Sequence, residues 1–453
     1  MLDTARRARV AELTAREERT FRDEHPRSLE LAERAKRSLL AGVPMHWMAK
    51  WPGGFPVFVA EAHGARFVDV DGREYVDLCL GDTGAMTGHS PAPTVAAVAD
   101  QAARGITLML PTEDAAWVGE ELGRRFGLPF WQFALTATDA NRFAIRLARE
   151  VTARPKVLVF NWCYHGTVDE TFVTLRDGEV RARRGNLGPP VPLDVTTRVV
   201  EFNDVEALER ELAHGDVACV LAEPALTNVG IVHPDPGFHD ALRELTRRTG
   251  TLLIVDETHT ICCGPGGFTA AEGLEPDLLT IGKPIAGGVP AAAYGFSADV
   301  AQRVVDHIEL EDVDVGGVGG TLAANALSLA AMRATLEHVL TDDAFAGMIP
   351  LAGRFTAGVE GAIGHHGVPW QVTQLGCRAE YLFGPDRPRN GAEAAAAGDF
   401  ELERLMHLYA LNRGVLLTPF HNMALISPAT TEADVDRHTE VFGEAVAELT
   451  RDR

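Results

Sequence analysis

Two hydrophobic rhythms alternate along the chain, and their order predicts its architecture. Leu252-Leu253-Ile254-Val255 and Leu278-Leu279-Thr280-Ile281 are short apolar runs bounded by turn residues. Such runs read as strands buried on both faces, as in parallel α/β sheets. Similar runs at Lys156–Phe160, 219–223 and 291–296 are interleaved with helical periodicity over Glu113–Phe126, 140–151, 205–214 and 237–249. Strands separated by helices imply crossover connections and a mostly parallel sheet from about residue 112 to residue 340, closing with a helix over 321–339.

The ends of the chain follow other patterns. Residues 1–40 alternate charge with Leu and Ala at helical spacing, which predicts one or two helices in a dimer-packing or solvent-facing arm. Residues 57–80 alternate as strands around Asp71-Gly72, a hairpin signal. From about residue 348 the pattern predicts a helix over 350–364, strands at 370–373 and 379–383, and a Pro/Gly/Ala-rich loop over 384–397. A helix Phe400–Asn412, short strands at 415–418 and 424–427, and a last helix Glu432–Thr450 follow. The predicted division is an N-terminal arm with part of a small domain (1–80), a large domain (81–345) and a C-terminal α+β small domain (346–453).

Composition narrows the class. The 453 residues exceed one ordinary domain, and 46% hydrophobic with 23% charged content is that of a soluble globular protein. A net charge of −22 argues against nucleic acid as the main partner. No run approaches a membrane span or a signal peptide, so a cytoplasmic location is expected. The six cysteines have no metal-type spacing and read as buried thiols; no metal is expected.

The chemistry begins where the two apolar runs end. Ligands of parallel sheets bind at the carboxyl ends of the strands, which brings Asp256 and Lys283 to one edge. A carboxylate and a lysine together are what a pyridoxal phosphate enzyme requires: the amine forms the Schiff base and the acid keeps a proton on the pyridine nitrogen. Thr136-Ala137-Thr138 opens a helix and can cradle a phosphate or serve as an ordinary cap. Tyr164 and His165 follow the next strand, where an aromatic ring can stack on a flat cofactor or simply pack. Glu223, Asn228, Thr258 and His259 arrive at later strand ends, and Gly320-Thr321 reads as a second phosphate-suited helix start.

VDVDGREYVDL, TGHSP, AIRLAR, CYHG, EPALTN, LLIVDE, PDLLTIGK, GGTLAAN and NRGVLLTP together resemble the class III aminotransferases, fold type I pyridoxal phosphate enzymes, and within them the glutamate-1-semialdehyde aminomutase-like branch. The resemblance covers about residues 42–441. It implies a large domain with a mostly parallel sheet flanked by helices, and a smaller α+β domain built from both ends of the chain. It places the phosphate loop on Thr136 to Ala140, the ring-stacking aromatic on Tyr164, the pyridine-nitrogen acid on Asp256 and the Schiff-base lysine on Lys283. Thr321 falls where the family reaches the phosphate of the neighbouring subunit's cofactor, which implies a homodimer.

The departures bear on substrate. Ala137 replaces a glycine, which is tolerable at negative φ. Thr258 stands where the family has Val, and His259 where relatives carry Gln or Met; His259 is a candidate partner of the cofactor's phenolic oxygen. Met48 falls near the carboxylate-binding arginine of the semialdehyde aminomutases, which argues against that activity. Candidate substrate contacts are Trp47, Met48, Asp82, Thr83, Trp162, Arg378, His421 and Asn422; a surface or interface ion pair is the plainer expectation for Arg378. The expected function is transamination between an amino donor and a keto or aldehyde acceptor, through Lys283 and a pyridoxamine form of the cofactor. An aminomutase, racemase or amine lyase on the same fold is the alternative, and a non-catalytic α/β binding protein the distant one.

Overall fold

The computed structural model describes residues 4–307 and 316–451. The chain forms two compact units, one of residues 1–91, 346–387 and 397–453, the other of residues 92–345 and 388–396. The segment 81–91 therefore belongs with the chain ends, not with the large domain that the sequence predicts for it. Residues 388–396 belong with the larger unit, where the predicted loop instead holds a short helix, Gly391–Ala396. A Cβ on Gly391 would lie 2.3 Å from the Asn161 carbonyl, so this helix docks too closely for any side chain there.

A seven-stranded sheet organises the larger unit, in the order Phe130–Ala134, Ala292–Phe296, Leu278–Ile281, Leu252–Asp256, Val217–Ala222, Lys156–Phe160, Thr197–Val200. Ala292–Phe296 runs antiparallel to both neighbours and every other pairing is parallel. The three central strands are buried along their whole length, which is why their sequences are continuously apolar instead of alternating. Helix Ala137–Thr152 lays Ala140, Phe143, Ala144, Leu147, Ala148 and Val151 into the core at helical spacing. Two strands of the sheet, Phe130–Ala134 and Thr197–Val200, and a separate hairpin of Val173–Arg176 with Glu179–Ala182 add to the predicted set. The helix predicted over 321–339 is shorter: it runs from Ala326 to His338 under an Asn325 cap, and Thr321 lies in the turns before it.

In the smaller unit, Val59–His63, Arg66–Asp69, Glu74–Asp77 and Val415–Leu416 form one sheet. Gln371–Leu375, Arg378–Leu382 and Met423–Leu425 form another. Gly72, at φ +83°, supplies the left-handed residue of the predicted hairpin turn. The N-terminal helix Thr4–Glu24 is not a solvent-facing arm. It buries Val10, Leu13 and Phe21 and packs on Phe400–Asn412 and Glu432–Thr450. Its Glu17 is buried against Arg413 at 3.0 Å and Asn412 at 2.8 Å. Helix Asp342–His366 begins earlier than predicted and runs through Pro350. Among the described residues no helix is long and apolar enough to cross a membrane.

Candidate active site

Strand Leu252–Asp256 delivers Asp256 at its carboxyl end, and the next strand ends two residues before Lys283. Asp256 is buried, and its carboxylate is held from three sides. Oδ2 pairs with His165 Nδ1 at 2.8 Å and accepts from Asn141 Nδ2 at 2.8 Å, while Oδ1 accepts from the Thr258 backbone at 3.1 Å. Asn141 is itself fixed, since Thr280 Oγ1 donates to its Oδ1 at 2.6 Å. Burial pushes the Asp256 carboxyl up, but the bonds from His165 and Asn141 outweigh it and hold the group below the usual carboxylate range. Burial likewise lowers His165, yet Cys163 and Asp256 push its imidazole up to about 10. Both directions favour the carboxylate paired with the imidazolium.

Glu257, the next residue, does different work. Thr260 Oγ1, the Phe268 backbone and both the backbone and hydroxyl of Thr269 donate to it, and a Cβ on Gly267 would lie 2.4 Å from its Oε2. It staples the loop after the strand into place. Burial raises its pKa.

Lys283 sits at φ +51°, a left-handed conformation that a lysine adopts only where its surroundings enforce it. Its Nζ lies 2.9 Å from His259 Nε2. Gly282, just before it, passes so close to the start of helix Ala137–Thr152 that an added Cβ would lie 3.0 Å from the Ala137 Cβ and 3.2 Å from its backbone nitrogen. The lysine turn and the helix start are thus locked together. Ala137 is the first residue of that helix and is not among the positive-φ residues, so the missing glycine costs nothing there.

At this helix start Thr136 is the N-cap: Oγ1 accepts from the Asp139 backbone at 3.1 Å and donates to the Asp139 carboxylate at 2.8 Å. Thr138 Oγ1 accepts from the Thr167 backbone at 3.0 Å, which leaves its own proton to give. Gly166, at φ +73°, lies directly over Thr138, and a Cβ there would fall 2.1 Å from Oγ1.

Behind the segment 162–167, Glu223 Oε1 accepts from the Tyr164 backbone at 2.9 Å, and Oε2 accepts from Thr227. Asn228 Nδ2 donates to the Trp162 carbonyl at 3.2 Å. Glu223 and Asn228, expected at the cofactor, hold the backbone that carries Tyr164. The Tyr164 ring is partly exposed and stands edge-on to Phe172. Trp162 lies in the left-handed region at φ +65°, with the Arg183 guanidinium 5.5 Å from its ring. Gly320 and Thr321 are exposed, in a turn and not at a helix start.

A family model described as "Aminotransferase class-III" matches residues 47–446. The chain belongs to the class III aminotransferase family. A crystal structure described as a glutamate-1-semialdehyde-aminomutase from Pseudomonas aeruginosa PAO1 is similar at 53% identity and TM-score 0.95, covering 98% of this chain and 99% of that one. A glutamate-1-semialdehyde 2,1-aminomutase from Sorangium cellulosum (strain So ce56) is 34% identical over 94% of this chain and 97% of its own length. A β-phenylalanine aminotransferase from Variovorax paradoxus is 27% identical at TM-score 0.86, covering 96% and 97%. As a class III enzyme the chain has the type I fold and uses pyridoxal phosphate. A variant of the Pseudomonas protein is described in complex with PMP. A non-catalytic binding protein is thereby set aside.

The residues present fit that cofactor. A buried anion, a lysine at a strand end, and a cradle that a Cβ at Gly166 or Gly282 would fill all lie in one unit. Of the expected set, the structure joins Asp256 with His165 and Thr258, Lys283 with His259, and Tyr164 with Glu223. Asn141 was not expected. The one signal for it is an amide on the apolar face of an amphipathic helix, sharing that face with Ala144, Ile145 and Ala148.

Except for Trp162, the expected substrate residues belong to the smaller unit. Arg378 is no surface residue: it is 0% exposed, inside strand Arg378–Leu382. His421 Nδ1 lies 3.2 Å from Glu380 Oε1, and His407 Nε2 lies 3.3 Å from Asn422 Oδ1. Asp82 and Thr83 lie at φ +50° and +82°, and Thr83 is fully buried. Trp47 and Met48 lie in a short 3-10 turn, His46–Lys50, with Trp47 edge-on to Phe420.

Proposed function

We propose that the chain is an aminomutase, moving an amino group between neighbouring carbons of one small substrate, with glutamate 1-semialdehyde the first compound to try. The observation that carries this is the 53% identity, over nearly the whole of both chains, to the Pseudomonas protein of that description. The Sorangium relative adds to it. This replaces transamination as the leading reading, and Met48 in place of an arginine does not outweigh it.

When bound, pyridoxal phosphate supplies an electron sink that lets a carbon beside the amino nitrogen give up its proton. Lys283 would hold the aldehyde end at rest. Displaced by substrate, its Nζ would take the proton from one carbon and return it to another. Asp256, kept anionic by His165 and Asn141, would accept the ring N–H. The helix start at Thr136–Thr138 would hold the phosphate through backbone N–H groups and the Thr138 hydroxyl. Tyr164 would flank the ring, and Thr321 of a second copy would complete the phosphate site in a homodimer.

Lys283→Ala should abolish the borohydride-fixed cofactor–lysine adduct and lower turnover by at least about 10⁴-fold. An adduct that persists in the variant would end the assignment. For the reaction type, glutamate 1-semialdehyde supplied alone should be converted to its isomeric amino ketone with no carbonyl acceptor. Two-substrate transamination, favoured by the likeness to the β-phenylalanine aminotransferase, would instead require an acceptor and release a keto product.

A further inference from the structure

Strand Leu278–Ile281 carries one polar side chain, Thr280, in a run that is otherwise apolar and buried throughout. Valine has nearly the same shape and would fill the position, so the hydroxyl needs its own account. Threonines elsewhere in the larger unit return their hydroxyl to their own helix: Thr152 to the Ala148 carbonyl, Thr246 to Leu242 and Thr249 to Leu245. Thr280 does not. Its Oγ1 reaches across to helix Ala137–Thr152 and donates to Asn141 Oδ1 at 2.6 Å.

The direction of that bond follows from what lies on the other side of the amide. Asn141 Nδ2 faces two acceptors, Asp256 Oδ2 at 2.8 Å and the His165 carbonyl at 3.4 Å. Neither a carboxylate nor a carbonyl can donate, so the NH2 group lies on their side and Oδ1 on the side of Thr280. A buried amide oxygen needs a donor, and the Thr280 hydroxyl supplies it. Thr280 thus commits the orientation of an amide whose other end binds the acid.

The strand register puts this line where three elements meet. Thr280 is the direct partner of Asp256 in the parallel pair, so both side chains leave the same face of the sheet. The Thr280 carbonyl accepts from the Glu257 backbone at 2.9 Å. Asn141 lies one turn beyond Ala137, in the helix whose start suits a phosphate, and Lys283 follows Thr280 on the chain by three residues.

We propose that Thr280 is a positioning residue for the cofactor's ring: acting through Asn141, its hydroxyl holds the Asp256 carboxylate in the orientation that receives the ring N–H. This rests on the role given to Asp256 under the proposed function. Without the hydroxyl, Asn141 Oδ1 is buried with no donor, and nothing keeps the NH2 group turned toward Asp256.

The test compares two ligands in the full-length chain stripped of cofactor: pyridoxal phosphate, and its analogue with C–H in place of the ring nitrogen. Both carry the same phosphate and the same aldehyde for Lys283. The ratio of their dissociation constants, read by fluorescence titration, therefore isolates the ring nitrogen. A charge-assisted hydrogen bond sets that ratio at about 100 in the wild type. Thr280→Val should lower it to about 10 or less by weakening pyridoxal phosphate alone, with the analogue within about twofold of its wild-type constant. Thr280→Ser keeps the donor and should keep the ratio within about threefold. Asn141→Leu removes the amide and should give the same fall as Thr280→Val; it carries the comparison if Thr280→Val does not fold. An unchanged ratio in these variants, or equal weakening of both ligands, overturns the proposal. Failure of the parent reading has a different signature: a wild-type ratio near 1 would show that Asp256 does not serve the ring nitrogen.

Discussion

The two units treat buried charge in different ways. In the larger one, polar side chains meet at the carboxyl ends of mostly apolar strands, so each charge arrives by topology. Asp256 and Lys283 come from neighbouring parallel strands, and His165 from the end of another. In the smaller one, charge is buried inside elements: Arg378 and Glu380 in the middle sheet strand, His407 along one helix, Glu17 on the N-terminal helix. Strand-end charge can be read from apolar runs and the residue that follows them. Charge set within an element depends on which neighbours fold over it. The larger unit thus concentrates chemistry, and the smaller one distributes polar anchors.

The sharpest way to break this contrast is at Asp256. Asp256→Ala leaves the His165 imidazole buried beside Asn141 without its anion, and should cost about 3–5 kcal/mol in urea unfolding as well as the cofactor. A loss below about 1 kcal/mol would show that His165 and Asp256 are not the carboxylate–imidazolium pair described. Arg378→Leu tests the other side: about 2–4 kcal/mol of stability should go, while the borohydride-fixed adduct on Lys283 still forms. Loss of that adduct with the fold intact would mean that the anchors of the smaller unit are not separable from the chemistry. Gly166→Ala places a methyl group into Thr138 Oγ1 at a left-handed backbone position. It should destabilise by about 1–3 kcal/mol and weaken cofactor binding, read by fluorescence titration.

The smallest expected effect is at Glu403, whose carboxyl burial pushes up to about 7 against His421, which pulls it down. Its folded pKa lies above its unfolded one, so its stabilising contribution is full below about 4.5 and is lost as pH rises through about 7. Glu403→Gln should therefore gain on the wild type by about 1–2 kcal/mol between pH 5 and pH 8 in paired thermal melts. The opposite slope comes from His407, which burial lowers to about 4, and His438, lowered to about 3. Their contribution is present above about 6.5 and falls away as pH drops, so the variant's lower limb should follow the wild type.

Much of the larger unit was legible because its central strands are buried on both faces and announce themselves as unbroken apolar runs. The edge strand Phe130–Ala134 alternates exposed and half-buried positions over its first four residues, too short for a period to stand out beside the helix that follows. Thr197–Val200 is shorter still and emerges from a proline-rich stretch. In the site, Asp256 and Lys283 were legible by position alone. Asn141 was not, because its function depends on lying opposite Thr280 and Asp256 once the helix has packed. Nor was the separation of Asp256 from Glu257: adjacent carboxylates on a strand point to opposite faces, one toward the lysine's edge and one into the loop it staples. Thr321 misled the helix boundary because a Gly-Gly-Thr run before an Ala/Leu stretch has the composition of a helix start, whereas Asn325 caps the helix by accepting from Ser328.

The contact between Gly282 and Ala137 fixes a length. The lysine turn and the phosphate-suited helix start touch with no room for a methyl group, so the span between them behaves as a gauge that neither loop can reset alone. A molecule gripped at both ends is accepted or refused by its size before any of its functional groups is recognised. Structures described as an aminomutase and as an aminotransferase share this fold.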